Sequence, residues 1–142
     1  MDARYIEVTE YTGEGYRSLV EYGDWRVAVL NYIDELKVEN LGSMQKHTES
    51  DEVFVLLAGK FALFTGGDGE EIGEIDVIHL EPGKLYNVKK DVWHTHTLSE
   101  DAMVLIVENR DTDRHGDSPV KALTEEQRKE LQNCFGAGFA DR

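Results

Sequence analysis

The chain has 142 residues, of which 40% are hydrophobic and 31% charged, with 29 acidic against 15 basic side chains and a formal charge of -14. This is the composition of an ordered globular protein with one core; it excludes a disordered chain and a second ordinary domain, and its average field repels nucleic acid and anionic membrane surfaces. No apolar run approaches the roughly 18 residues that span a bilayer, and the opening MDARYIEVTE lacks the basic and apolar regions of a signal peptide, so a cytoplasmic protein is expected.

From Arg17 to Leu105 short apolar runs alternate with glycine or acidic turns, and no helical period is sustained, which is an all-β pattern. WRVAVLNYI at 25–33 reads as a buried strand, and EVFVLLAGKFALF at 52–64 as two strands around Gly59. The glycine-rich, acidic TGGDGEEIGE at 65–74 is a reversing turn between antiparallel strands. Further strands are predicted at about 76–80, 85–89, 92–98 and 102–108, with Pro82-Gly83 as a turn among them; such close spacing suits a closed barrel or a sandwich.

The polar stretch at 109–119 reads as a surface loop. Beyond it Thr124 and Gln127 form a capping-box pattern, LTEEQRKELQNCF supplies one short amphipathic helix, and Gly136 stands where a helix stops. The expected organisation is a single domain over 1–142, with a barrel at about 16–108 and a C-terminal helix at about 124–135. Cys134, the only cysteine, can close no internal disulfide and no cysteine cluster for zinc, and is expected to pack. His79 and His115 are expected at the surface, while Phe54, Phe64, Tyr86 and Trp93 are expected in the core.

Walker, HExxH, GxSxG and dinucleotide-binding patterns are missing from the sequence. Two segments instead place ligand-type side chains at alternate positions in apolar strands, 42–59 and 82–109. A period of two puts Gln45 and His47 on one face, and His94 and His96 on one face of another strand. If both faces are internal the four converge, and Glu52 can add a carboxylate. Imidazole nitrogen with carboxylate oxygen suits manganese, iron, nickel or zinc, whereas calcium and magnesium favour oxygen alone.

These residues resemble those of the cupin superfamily. His47, Glu52 and Gly59 fit the second half of its first motif, G(X)5HXH(X)3-4E(X)6G, and Gly83 and His94 fit the glycine and histidine of its second, G(X)5PXG(X)2H(X)3N. Gln45 replaces the first histidine, Glu39 the first glycine, and Lys89, Asp91 and Leu98 the proline, second glycine and asparagine of the second motif. The resemblance covers roughly 40–108 and implies a jelly-roll β-barrel with an internal divalent transition metal on His47, Glu52, His94 and Gln45. His96 is then expected beside the open coordination position, as a replacement nitrogen donor or an acid or base.

Two functions fit. One is a metal-dependent isomerase, lyase or dioxygenase acting on a small organic metabolite; the alternative is a non-catalytic barrel that binds or senses a small molecule, with or without metal. Association as a homodimer is expected from the family and from the unpaired edge strands of a small jelly roll.

Overall fold

The computed structural model describes residues 2, 4–112 and 118–140, so His115 lies outside the described residues. In chain order the strands are β1 (Gly15–Tyr22), β2 (Trp25–Asn31), β3 (Ser43–Gln45), β4 (Glu52–Ala58), β5 (Phe61–Thr65), β6 (Asp76–His79), β7 (Leu85–Val88), β8 (His94–Leu98), β9 (Met103–Asn109) and β10 (Val120–Ala122). One α-helix, α1 (Glu125–Phe135), follows, and two short 3-10 turns, Asp34–Leu36 and Val38–Asn40, bridge β2 and β3. No helix among the described residues is long and apolar enough to cross a membrane.

The strands form two antiparallel sheets of five, ordered β1-β2-β9-β4-β7 and β10-β3-β8-β5-β6. Their ladders stay separate, so a closed barrel is not what the hydrogen bonds describe. β1 begins at Gly15 and β9 ends at Asn109, and a further short strand, β10, lies between the expected loop at 109–119 and the helix.

Strand periodicity explains the packing. In β9 (MVLIVEN) burial alternates strictly, and Val104 and Ile106 point inward with Ala28 and Leu30 of β2 and Phe54 and Leu56 of β4. From the other sheet Phe61, Leu63 and Leu98 meet them, forming one apolar layer between the sheets. β5 is buried on both faces, because Ala62 and Phe64 alternate with that set and pack on a second layer containing Met44, Trp93 and Leu131 of α1. This outer layer accounts for a helix whose only fully buried side chain is Leu131.

The capping box forms as its sequence signals. Thr124 Oγ1 accepts from Gln127 N–H at 3.1 Å, Gln127 Oε1 accepts from Thr124 N–H at 2.9 Å, and Gly136 ends the helix at φ 57°. Cys134 is half-buried beside the outer layer, consistent with packing, and burial pushes its thiol up. Phe54, Phe64 and Trp93 are core, as expected, and half-buried Tyr86 packs against it. His79 is a correction: rather than lying bare at the surface, its half-buried ring stacks on Phe135 at 5.9 Å and meets Phe139 edge-on. The cause is α1, which returns across β6 where the local sequence gives no sign of a neighbour.

Candidate functional site

Five polar side chains meet between the sheets. Glu52 opens β4 in phase with buried Phe54 and Leu56, so the alternation that makes the strand turns its carboxylate inward. His94 opens β8, opposite Gln45 in the β3–β8 ladder. His47 lies two residues beyond the end of β3, not within the strand expected to carry both it and Gln45, yet both line the same cavity.

The cavity holds about 420 Å3 and is lined by Gln45, His47, Glu52, His94, His96 and Glu108, among others. All five expected site residues are therefore brought together. His47, Glu52 and His94 are buried, and one donor atom from each lies within 4.8 Å of the other two. Glu52 Oε1 stands 3.0 Å from His47 Nε2 and 3.0 Å from His94 Nε2.

The outer nitrogens fix the tautomers. His94 Nδ1 is 2.9 Å from the carbonyl of Val92, which can only accept, so Nδ1 carries the proton. His47 Nδ1 is 2.7 Å from Ser118 Oγ, whose own hydrogen is given to the carbonyl of Thr112, so this Nδ1 also donates. Each neutral imidazole thus turns its Nε2 lone pair toward the same carboxylate oxygen. Three electron-rich atoms facing one point require a cation there, whether protons on the rings or a metal ion.

Electrostatics agree. Burial would raise Glu52, but hydrogen bonds from His47, His94 and Glu108 outweigh it and hold its carboxyl well below the usual range. His96 lies two residues beyond His94 on the same face, half-buried, with its ring on Phe61 at 5.2 Å and beside Phe54 at 5.9 Å. Burial pushes its pKa down to about 4, the Glu52 charge opposing this and His94 adding to it, so it is neutral at pH 7.

Glu108, Arg26 and Tyr16 were not foreseen as part of the site. Arg26 and Glu108 are partners in the β2–β9 ladder, and Glu108 Oε1 accepts from Arg26 Nε at 3.0 Å, Arg26 Nη2 at 2.6 Å and Tyr16 Oη at 2.8 Å. Glu108 is raised to about 7 by burial first, then by the Glu52 charge and their shared hydrogen bond, against the lowering effect of Arg26 and Tyr16. The signal was periodicity, since Glu108 is in phase with Val104 and Ile106, and Arg26 with Ala28 and Leu30. Ser118 had no such signal.

The two-sheet architecture has counterparts among solved structures. The chain resembles a cupin-2 domain containing protein from Shewanella frigidimarina NCIMB 400 at 20% identity, covering 70% of this chain and 85% of that one, with a TM-score of 0.50. The DMSP lyase DddQ from Ruegeria pomeroyi DSS-3 aligns at 16% identity over 74% of this chain and 50% of that one, TM-score 0.50. The hydroquinone 1,2-dioxygenase PnpCD, in complex with Cd2+ and 4-hydroxybenzonitrile, aligns at 14% identity over 66% and 62%, TM-score 0.50. No protein-family model matches the sequence, and no curated protein matches it. The chain has the cupin fold, which is where the resemblance of its motifs pointed.

Proposed function

We propose that the chain is a jelly-roll cupin that binds a divalent transition metal at His47, Glu52 and His94 and acts as a metal-dependent enzyme on a small organic metabolite. The observation that carries this is the pair of outward-donating Nδ1 atoms, which leave two Nε2 lone pairs and a carboxylate oxygen at one buried point. Successive strands from β2 to β9 pass between the sheets in the order of a double Greek key, which supports the jelly-roll reading.

The donors suit manganese, iron, nickel or zinc. A bound ion would supply Lewis-acid polarisation of a substrate oxygen or activation of water or dioxygen. The chain's own contribution is to hold the ligand rings by their Nδ1 bonds and to admit a small molecule to the 420 Å3 cavity. His96 lines that cavity and would hydrogen-bond the molecule; with a pKa of about 4 it is a weak base at neutral pH, better suited to orienting a substrate than to abstracting a proton. Structures of the fold that carry lyase and dioxygenase names support an enzyme, while Gln45 in place of a histidine favours the alternative of a non-catalytic small-molecule binder.

The test is metal analysis of the purified protein after stripping and reloading. The expected result is one ion per chain, with protons released on uptake because any proton held between the Nε2 atoms and the carboxylate must give way to the ion. His47→Ala and His94→Ala should each lower affinity by about 10-fold or more. No stoichiometric metal under any loading condition returns the chain to the binding-module reading.

A further inference from the structure

Resting on that metal reading, we infer that Glu108 is a further protein ligand of the same ion, supplying through Oε2 the donor that Gln45 does not. The sequence motif gives no hint of it, because Glu108 lies on β9, beyond both metal motifs.

The geometry singles out one oxygen. Oε1 of Glu108 is occupied by three donors, Arg26 Nε, Arg26 Nη2 and Tyr16 Oη. Arg26 is itself fixed, since it is buried and its Nη1 donates to the carbonyl of Arg110 at 3.2 Å. This clamp aims the other oxygen at the cluster: Oε2 is 4.0 Å from His47 Nε2. Two donors on one ion with bonds of about 2.1 Å lie at most about 4.2 Å apart, so this separation is within reach of a shared ion.

Charge and chemistry point the same way. Glu52 and Glu108 are both buried and both face His47 Nε2, at 3.0 Å and 4.0 Å, and two buried carboxylates converging on one point need a proton or a cation between them. Arg26 balances one of the two negative charges, and a divalent ion reached by the second oxygen more than offsets the other. A glutamine carbonyl is a weak, neutral donor by comparison. Two imidazoles with two carboxylates form a harder donor set than three imidazoles with one, which shifts preference toward manganese and iron(II).

The test uses full-length protein, stripped of metal and titrated with Mn(II) and Co(II), following affinity and the Co(II) visible spectrum. Wild type should bind one ion; Glu108→Gln should weaken affinity about 10- to 100-fold and change the Co(II) bands, whereas Gln45→Ala should have the smaller effect. Tyr16→Phe, which loosens the clamp at a half-exposed position, should weaken affinity severalfold, and it decides the matter if Glu108→Gln does not fold. Wild-type affinity and spectrum in Glu108→Gln, or in Tyr16→Phe where that variant decides, overturn the inference and leave the metal reading intact. Loss in Gln45→Ala with retention in Glu108→Gln returns the ligand to Gln45. A wild-type protein that takes up no ion overturns both.

Discussion

His94 and His96 share a strand face but meet opposite surroundings. The first has a carbonyl at one nitrogen and a carboxylate at the other; the second has aromatic rings and a buried Nδ1 with no hydrogen-bond partner. The pKa of about 4 for His96 lies below the ordinary value of about 6.5. Between those values the unfolded chain takes a proton that the native state refuses, so this contribution to stability is complete above pH 6.5 and is lost as pH falls toward 4. In metal-free protein, His96→Phe should flatten the pH dependence of the urea midpoint over that window by roughly 1–3 kcal/mol. An unchanged slope would show that His96 protonates freely in the fold.

Asp91 argues at the same scale. It stands where the second motif has glycine, and it adopts φ 69°, among the described residues the one non-glycine in the left-handed region. Its N–H donates to the carbonyl of His47 at 2.7 Å, tying the turn before β8 to the segment that carries the other cluster histidine. Aspartate tolerates this conformation, and a β-branched residue does not. Asp91→Gly should therefore change stability by less than about 1 kcal/mol, while Asp91→Val should cost about 1–2 kcal/mol, as read by denaturant unfolding. The departure from the motif keeps the backbone the motif requires.

Among the elements, β4 and β5, which cross from one sheet to the other at Gly59, show how much was legible. Their two apolar runs and the break at Gly59 read directly, because both strands are long, apolar and bounded by a turn residue. Gly59 sits at φ 71°, and a Cβ there would come within 2.5 Å of Ala102 Cα, so the motif's glycine is a backbone requirement of this crossing. Gly59→Ala should destabilise by about 2–4 kcal/mol in denaturant unfolding, more than a positive φ alone explains. The three-residue strand β10 was not legible, since it exists by pairing with β3 across the chain and carries no periodic signal, while β3 stops at Gln45, short of the strand expected to reach His47. The histidines and Glu52 stood out by type and spacing; Arg26 and Glu108 were hidden among ordinary charges until the phase of their strands was known.

For the whole molecule, the separate sheets leave edges at β1, β7, β6 and β10. Leu85 on edge strand β7 is 74% exposed, and Tyr22 and Trp25 are exposed at the β1–β2 turn. We propose that such edges are covered by a second copy, as a homodimer, which is the common way a short jelly roll hides unpaired strand groups. Sedimentation should give twice the 16.1 kDa of one chain, and a monomer at all concentrations would exclude it.

The bond from His47 to Ser118 has a reach beyond the ring it holds. Ser118 is followed at once by Pro119, whose carbonyl receives Lys46 N–H, and then by β10 and α1. The segment that carries β10 and α1 is thus tied to the cluster through the Ser118 hydroxyl as well as to β3 through its backbone, so the hold on the His47 ring and the seating of the helix on the outer sheet share one stretch of chain.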